Sequence, residues 1–380
     1  MIAPPTGTFE ASLDELRSRR CVKWVRYPDD VLPAWIAEMD FALAPAVHAV
    51  LASAVERGDA GYANTEELPS AFAAFAGRRF GWTVDPARVL PVADIMTGIG
   101  VALDVLTEPG DRVVVNPPVY PPFFTIARDR GREVVEVPLG GDWRLDLDRL
   151  ERAFADGARA YLLCNPHNPT GTAFTREELA AVAALAARHG VHVLSDEVHA
   201  PMTLPGAEHV PYLSLGADGV AFASASKTWN VAGLKCAVLI AGSAETLSAF
   251  RRVPGHVHYQ LGHFGVLATL AAWRDGIPWL DALVVHLDRQ RNLLAELLEE
   301  QLPQVRLVRP EAGYLTWLDC RALGLGDDPS AVFLERGRVA LSPGPTFGTE
   351  GKGFARLNIA TSGELLAEAV RRMAAALRSP

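Results

Sequence analysis

A short polar segment, Ser-Ala-Ser-Lys at residues 224–227, lies at the end of the apolar run 220–224. Lysine is scarce in this chain: four occur, and the other basic residues are arginines. A site on an α/β sheet is expected at the carboxyl edge of its strands, and a desolvated lysine amine there is readily deprotonated. The position of Lys227 therefore indicates a Schiff-base lysine, with an ordinary surface lysine as the alternative.

A carboxylate follows a second apolar run. Asp196 comes directly after residues 191–195, which read Val-His-Val-Leu-Ser. A carboxylate in that position needs a cationic or hydrogen-bonding partner, and a pyridinium nitrogen would be one. The alternative is an acidic helix cap. Glu197 and His199 add a possible base or metal ligand, but no second cluster of ligands accompanies them, and we expect no metal.

Two further segments could contact a ligand. Residues 164–171 (Cys-Asn-Pro-His-Asn-Pro-Thr-Gly) contain two X-Pro steps and a final glycine, which fix a turn and let Asn168 present its amide to a ligand. Residues 97–100 (Thr-Gly-Ile-Gly) precede a helical pattern over residues 100–108. The backbone N–H groups of such a helix start can hold a phosphate, although a short glycine turn is the alternative.

The elements that would position these segments alternate between short apolar runs and amphipathic helical patterns over residues 45–275. Such alternation predicts an α/β fold with a mainly parallel sheet. The predicted strands are 112–116, 133–139, 160–165, 191–195, 220–224 and 236–242, and predicted helices include 45–58, 65–81 and 175–190.

The pattern changes near residue 276. A long amphipathic helix over residues 279–302 is followed by short strands near 305–310, 313–319 and 354–361 and by a final helix. We predict a large domain over residues 45–275 and a smaller α+β domain formed by residues 1–44 and 276–380.

Composition excludes several classes of protein. Charged residues make up 21% and hydrophobic residues 49% of the chain, as in ordinary globular proteins, and the formal charge of −9 argues against binding of nucleic acid or an anionic membrane. No apolar run is long enough to span a membrane, and the first twenty residues do not resemble a signal peptide. We expect a cytoplasmic protein whose four cysteines are small buried residues: Cys21, Cys164, Cys236 and Cys320.

Taken together and in this order, the polar segments resemble the fold-type I pyridoxal-phosphate enzymes, the aminotransferase class I/II superfamily, over nearly the whole chain. Within it, the sequence is most similar to the cystathionine β-lyase, or carbon–sulfur lyase, branch. The segments that carry this likeness are Lys23-Trp24, 33–41 (PAWIAEMDF), 165–171 (NPHNPTG), 196–199 (DEVH), 226–230 (SKTWN) and 354–358 (FARLN). The resemblance implies a seven-stranded, mainly parallel sheet flanked by helices, with a smaller α+β domain.

The resemblance also assigns contacts with pyridoxal 5'-phosphate. Lys227 would form the Schiff base and move the proton at Cα, Asp196 would pair with the ring nitrogen, and Asn168 with the ring oxygen. Tyr120 would stack on the ring face. The remaining implied cofactor contacts are Thr97, Gly98, Ile99, Ser224, Ser226 and Lys235 around the phosphate, His199, and Tyr62 from a partner subunit.

The substrate contacts follow from the same likeness. Arg356 would clamp the α-carboxylate of an amino acid, helped by the backbone of Ala37 and by Tyr120 and Asn168. Members of the superfamily build the pocket between two subunits, so a homodimer is implied.

Two positions depart from the wider superfamily. His199 stands where aspartate-type aminotransferases carry tyrosine, as is usual in the lyase branch. Lys235 stands where many members carry arginine, which a point charge can replace at a phosphate.

The activity that the resemblance implies is β-elimination from L-cystathionine or another L-cysteine S-conjugate, with release of thiol, pyruvate and ammonia. An aminotransferase would use the same residues, as would a decarboxylating or deaminating enzyme acting on a tailored S-conjugate. A non-catalytic cofactor-binding scaffold is the remaining alternative, which the presence of Lys227, Asp196 and Asn168 disfavours.

Overall fold

The computed structural model describes residues 9–250, 253 and 260–378. Its α-helices are α1 (Leu13–Arg17), α2 (Val22–Val25), α3 (Pro45–Glu56), α4 (Leu68–Phe80), α5 (Ile95–Leu106), α6 (Pro122–Arg128), α7 (Leu147–Ala155), α8 (Arg176–His189), α9 (Ala244–Phe250), α10 (His263–Asp275), α11 (Ile277–Gln301), α12 (Pro329–Gly337) and α13 (Gly363–Ala376). Its strands are β1 (Leu32–Pro33), β2 (Val89–Val92), β3 (Arg112–Val115), β4 (Glu133–Glu136), β5 (Ala158–Cys164), β6 (His192–Asp196), β7 (Val220–Ala223), β8 (Ala237–Ala241), β9 (Arg306–Val308), β10 (Leu315–Asp319), β11 (Val339–Ala340), β12 (Ser342–Pro343) and β13 (Phe354–Asn358).

A seven-stranded sheet forms the centre of the fold. Its order is β2-β8-β7-β6-β5-β3-β4, and neighbouring strands are parallel except that β8 runs antiparallel to both β2 and β7. The α/β class and the mainly parallel sheet are therefore confirmed. Strand β2 was not predicted, because its Pro91 weakens the strand pattern, although proline is tolerated in an edge strand.

Two layers of core cover the faces of this sheet. Alternate side chains of β5 enter different hydrophobic clusters, with Leu162 in one and Leu163 in the other. Helix α5 contributes to the first cluster and helix α8 to the second. Because both faces are covered, the central strands are continuous apolar runs rather than alternating ones.

A second sheet is antiparallel, with the order β12-β13-β10-β9. Strand β1, near the start of the chain, pairs in parallel with β11 near its end, in the register Leu32 with Val339. The N-terminal arm thus joins the C-terminal elements, as the sequence suggests. The domain limits at residues 45 and 275 stay a prediction, and residues 1–8 of the arm lie outside the described residues.

Two local expectations are wrong. Helix α5 begins at Ile95 rather than near Gly100, because the Asp94 side chain caps it by accepting a hydrogen bond from the Thr97 N–H (2.7 Å). Cys21 is exposed rather than buried, since it lies at the N-cap of the short helix α2 on the surface, whereas the other three cysteines are buried. None of the described helices has the length and apolar character needed to cross a membrane.

Candidate active site

The carboxyl ends of three adjacent parallel strands bring the polar segments together. Asp196, the last residue of β6, pairs in register with Cys164 of β5 and Phe222 of β7. The chain segments that leave these three strands therefore emerge at one edge of the sheet, where ligands bind in open α/β folds. They contain, in order, Asn168, His199 and Lys227.

Lys227 is a half-buried lysine whose amine lies inside the site and is easily deprotonated. Its Nζ donates a hydrogen bond to the carbonyl oxygen of Ala37 (3.3 Å). Burial, reinforced by the positive charge of Arg356, lowers the pKa of Lys227 to about 8, against the opposing effect of Glu38 and Asp196. At pH 7 an amine with this pKa is neutral in about one molecule in ten, against fewer than one in a thousand for an ordinary lysine, and the neutral form can act as nucleophile or base.

Asp196 is a buried carboxylate at the end of β6. Its Oδ1 accepts a hydrogen bond from the Val198 N–H (3.1 Å). Burial raises the pKa of Asp196 to about 6, although the Val198 N–H and the charge of Lys227 oppose this rise. A cationic N–H donor beside this carboxylate would stabilise its ionised form.

Glu197 anchors the segment behind Asp196 rather than facing the same way. Its carboxylate accepts hydrogen bonds from Ser195 Oγ and from the Tyr212 N–H, both at 2.9 Å, and lies 3.3 Å from His209 Nε2. In the described part of the chain, no group of three or more His, Cys, Asp or Glu side chains is arranged to hold a metal ion.

Arg356 is a buried arginine on β13 that faces the edge of the large sheet. Its Nη1 donates to Asn168 Oδ1, and its Nη2 donates to the Trp35 carbonyl and to Ser342 Oγ, each at 3.0 Å. The guanidinium lies over the Phe347 ring, 4.9 Å from its centroid. Burial lowers the pKa of Arg356 to about 10, which still leaves it cationic at neutral pH. A buried cation of this kind is suited to binding a carboxylate.

Tyr120 precedes helix α6 and lies close enough to Asp196 and Arg356 for their charges to affect its pKa. Burial and the negative charge of Asp196 raise the pKa of Tyr120, while Arg356 lowers it. Its phenol therefore stays protonated at neutral pH. The ring lies edge-on to Phe123, with centroids 5.9 Å apart.

His199 is a buried, neutral imidazole. Burial, together with the charges of Lys227 and Arg356, lowers the pKa of His199 to about 3. Its ring lies edge-to-face with Tyr314, at a centroid distance of 5.9 Å, and its Nδ1 has no hydrogen-bond partner in the described structure.

The residues expected around a phosphate lie in the segment after β7 and at the start of α5. Ser224 Oγ donates to the Cys236 carbonyl (2.7 Å) and accepts from the Ser226 N–H (3.0 Å). Lys235 Nζ pairs with Asp94 Oδ2 (2.8 Å), the same carboxylate that caps α5. Asp94 therefore connects Lys235 to the start of the helix. It was not among the predicted site residues, although aspartate before a helix is a recognised N-cap signal.

Three predicted phosphate contacts lie within the first turns of α5. The Thr97 and Gly98 N–H groups donate to the Asp94 side chain and carbonyl (2.7 and 2.9 Å), and the Ile99 side chain is fully buried in the core. A Cβ at Gly98 would meet the Phe222 ring at 3.0 Å, so glycine is needed for close packing of the helix against the sheet. Helix α5 begins at Ile95, five residues before the expected start at Gly100. The backbone N–H groups at its N-terminus are therefore those of Ile95 and Met96.

Tyr62 is not packed into the site of its own chain. It lies in the connection between α3 and α4 and is 87% exposed. Ala37, in contrast, contacts Lys227 directly through its carbonyl.

Several residues of the site were not singled out from the sequence. Trp35 lies within the segment 33–41 that carries the family likeness, so its motif was a usable signal. Ser342, Phe347 and Tyr314 come from C-terminal segments whose composition gives no sign of a site.

The comparisons with known proteins identify the family. Residues 26–373 match the sequence model of the family described as aminotransferase class I and II, and the chain belongs to this family.

Within the family, the chain is similar to carbon–sulfur lyases. A Mycobacterium leprae protein is 45% identical over 97% of each chain. The cystathionine beta-lyase PatB of Bacillus subtilis is 35% identical, over 96% of this chain and 98% of its own. The crystal structure of the PLP-bound C-S lyase from Staphylococcus hominis has a TM-score of 0.90 at 26% identity, covering 97% of this chain and 99% of that one. The resemblance inferred from the sequence motifs is confirmed.

Proposed function

We propose that the protein is a pyridoxal-phosphate-dependent carbon–sulfur β-lyase that releases thiol, pyruvate and ammonia from L-cystathionine or another L-cysteine S-conjugate. The observation that carries this proposal is the convergence of the Lys227 amine, the Asp196 carboxylate and the Arg356 guanidinium beside Asn168. The name of the Bacillus subtilis relative supports it.

The residues present fit pyridoxal phosphate. Asp196 is a buried carboxylate with a raised pKa, and a ring N–H would supply the donor that stabilises its ionised form. Lys227 would hold the cofactor covalently, Asn168 would bind the ring oxygen, and Tyr120 would contact the ring face. The phosphate would be held by Thr97, Gly98, Ile99, Ser224, Ser226 and Lys235, and His199 would be a further contact with the cofactor.

The side chains would divide the chemistry between them. When bound, the cofactor supplies an electron sink for the substrate's α-carbon. Arg356 binds the α-carboxylate, with the backbone of Ala37 beside it, and thereby orients the Cα–H bond. Lys227 Nζ, once the amine of the substrate has taken its place, would remove the Cα proton, and Asp196 would keep a proton on the ring nitrogen.

The leaving group needs little help from the protein. A thiol has an ordinary pKa of about 8.5, so a thiolate departs from Cβ far more readily than an alkoxide would. Water then supplies the atoms that convert the remaining three-carbon fragment to pyruvate and ammonia.

The direct test is an assay without any keto acid. Purified protein loaded with pyridoxal phosphate is incubated with L-cystathionine, and free thiol and pyruvate are measured. Equal amounts of both are expected, and Lys227→Ala abolishes them, whereas Lys352→Met, at an exposed lysine that pairs with Asp327, serves as the matched control. If no thiol or pyruvate forms, and the substrate is instead converted to its own keto acid only when a keto acid is added as amino-group acceptor, the protein is an aminotransferase, the alternative that the family allows.

We further propose a cytoplasmic homodimer in which Tyr62 completes the partner's site. The high exposure of Tyr62 supports this placement. Mixing Tyr62→Ala and Lys227→Ala chains after denaturation and refolding tests it. A heterodimer would contain one site with both residues intact, so activity should return. If mixing restores nothing although each chain refolds, Tyr62 does not act across an interface.

A further inference from the structure

Asn230 connects the segment that carries Lys227 to a distant part of the chain. Its Oδ1 accepts a hydrogen bond from the Met39 N–H (2.8 Å), and its Nδ2 donates to the Met39 carbonyl (2.9 Å). The side-chain amide thus pairs with both backbone groups of one residue, as a neighbouring strand would. Met39 is only two residues from Ala37, whose carbonyl accepts the hydrogen bond from Lys227.

The backbone of Asn230 adopts a conformation that serves this contact. Its φ angle is 57°, in the left-handed region that costs most residues energy and that asparagine and glycine tolerate best. Strained backbone of this kind concentrates where the surrounding structure uses it. The turn three residues beyond Lys227 therefore aims the Asn230 amide back at Met39.

The rest of residues 36–40 is held by other contacts. Asn358 Nδ2 donates to the carbonyls of Ile36 (2.7 Å) and Glu38 (2.6 Å), on either side of Ala37. Beyond Met39, the Asp40 carboxylate is bound by two residues of the N-terminal arm, Lys23 Nζ at 2.7 Å and Trp24 Nε1 at 3.0 Å. The Ala37 carbonyl is consequently fixed from both sides, and Asn230 is the contact that links it to the Lys227 segment itself.

We propose that Asn230 is a positioning residue for Lys227, which it serves by holding the Ala37 carbonyl within hydrogen-bonding distance of the lysine amine. The carbonyl dipole stabilises a proton on Nζ and fixes the direction in which that proton points. Asn230 itself touches neither the substrate nor the reacting atoms. This inference concerns the chain's own geometry, and it holds whether the enzyme eliminates thiols or transfers amino groups.

The charges that face Lys227 do not change when Asn230 is replaced. They are Arg356 and Lys235, which disfavour the protonated amine, and Glu38 and Asp196, which favour it. Because Asn230 is neutral, a change in the pKa of Lys227 after its replacement reports a change in position rather than a lost charge.

The test is the pH dependence of Lys227 acylation in the full-length chain freed of cofactor. Trace labelling with acetic anhydride is followed by mass spectrometry, with the exposed Lys352 as internal reference. In Asn230→Gly, glycine retains the left-handed backbone and removes the amide. We expect the pKa of Lys227 to be lower by about one pH unit, since a hydrogen bond to a charged group is lost.

A matched control tests for general loosening of the fold. Arg338 is also a non-glycine residue with positive φ (53°), and its side chain makes two hydrogen bonds to Asp30 on the surface. Arg338→Gly should leave the pKa of Lys227 unchanged. Equal shifts in both variants, or no shift in a folded Asn230→Gly protein, would overturn the proposal. If Asn230→Gly does not fold, Asn358→Ala releases the carbonyls flanking Ala37, and the same criterion applies to it.

The holoenzyme provides a second readout. In Asn230→Gly loaded with pyridoxal phosphate, the pH midpoint of the cofactor's visible absorbance should move, while Arg338→Gly should keep the wild-type midpoint. An unmoved midpoint together with unchanged labelling contradicts the positioning role even if the variant is less active.

Discussion

The Arg356 guanidinium donates a hydrogen bond to Asn168 Oδ1 across 3.0 Å, joining two residues 188 positions apart in the chain. Asn168 follows β5 of the large sheet, whereas Arg356 lies on β13 of the small one. With its oxygen already accepting this bond, the Asn168 amide has its N–H groups available for a ligand oxygen. The same contact places Arg356, the cation proposed to bind the substrate carboxylate, beside the residue expected to face the cofactor ring.

Arg356→Lys should weaken substrate binding even though the positive charge is kept. Lysine cannot reproduce the bonds to Asn168, Trp35 and Ser342 together with a two-point contact to a carboxylate. Loss of two charge-assisted hydrogen bonds is worth about 3 kcal/mol, or a decrease of kcat/KM by about 100-fold. Steady-state kinetics with L-cystathionine measure it.

Ser342→Ala is the graded control for this prediction. It removes one of the contacts to Arg356 Nη2 and leaves the guanidinium in place. A decrease of at most about tenfold is expected, corresponding to one hydrogen bond. If Arg356→Lys proved no worse than Ser342→Ala, the guanidinium would not be the group that binds the carboxylate.

Lys235→Met should weaken cofactor binding, because it removes a positive charge at the proposed phosphate site. In the structure, Lys235 pairs with Asp94, and with the lysine gone the Asp94 carboxylate would repel a phosphate. Burial alone would raise the pKa of Asp94, but hydrogen bonds from Lys235 and Thr97 outweigh it and lower this pKa, so the carboxylate is ionised at neutral pH. We expect the Kd for pyridoxal phosphate to rise by about tenfold, or 1.4 kcal/mol.

Lys235→Arg is the corresponding conservative change and should bind the cofactor within about threefold of the wild type, since arginine also binds phosphate well. Fluorescence titration of the cofactor-free chain gives both values. Equal Kd values for the methionine variant and the wild type would remove Lys235 from the phosphate site.

Asp196 should make the cofactor-free chain less stable as the pH rises. Burial raises the pKa of Asp196 to about 6 in the folded state, so the folded state binds its proton more tightly than the unfolded state does. The stabilisation is complete below pH 4 and is lost as the pH passes through 6, and two pH units correspond to about 3 kcal/mol. Chemical denaturation between pH 4 and 7 should show this decrease in the free energy of unfolding.

Asp196→Asn isolates that contribution, because the amide does not titrate. The difference in free energy of unfolding between variant and wild type should change by up to about 3 kcal/mol between pH 4 and 7. A difference that stays constant over this range would show that Asp196 keeps an ordinary pKa. Pyridoxal phosphate should abolish the trend in the wild type, since a ring N–H would give the carboxylate a charged donor in addition to the Val198 N–H.

The sequence predicted those parts of the site that lie directly after buried strands. Lys227 and Asp196 follow apolar runs whose length and β-branched content define β7 and β6, so their shared sheet edge follows from parallel pairing. The glycines of residues 97–100 suggested a turn, so the start of α5 was predicted too late. The helix in fact begins after Asp94, whose side chain caps it, and this residue was not predicted. Tyr314 and Ser342 could not be predicted, since they reach the site only through the pairing of β10 and β12 with β13.

Tyr314→Phe should raise the pKa of Lys227, opposite to the effect of Asn230→Gly. The Tyr314 hydroxyl donates to the Ala37 carbonyl at 3.1 Å, the same oxygen that accepts from Lys227. Without the hydroxyl, the full negative end of the carbonyl dipole is available to the lysine, and we expect a rise of up to about half a pH unit.

The double variant Asn230→Gly with Tyr314→Phe decides whether both residues act through that one carbonyl. If they do, removal of the Asn230 amide moves the carbonyl away and the Tyr314 change then has no further effect on Lys227, so the two shifts are not additive. The pH dependence of Lys227 acylation gives its pKa in the wild type, the two single variants and the double variant, and these four values complete the cycle. Strict additivity would mean that Tyr314 and Asn230 influence the lysine by separate routes, and the shared Ala37 oxygen would then not be the point at which the two contacts meet.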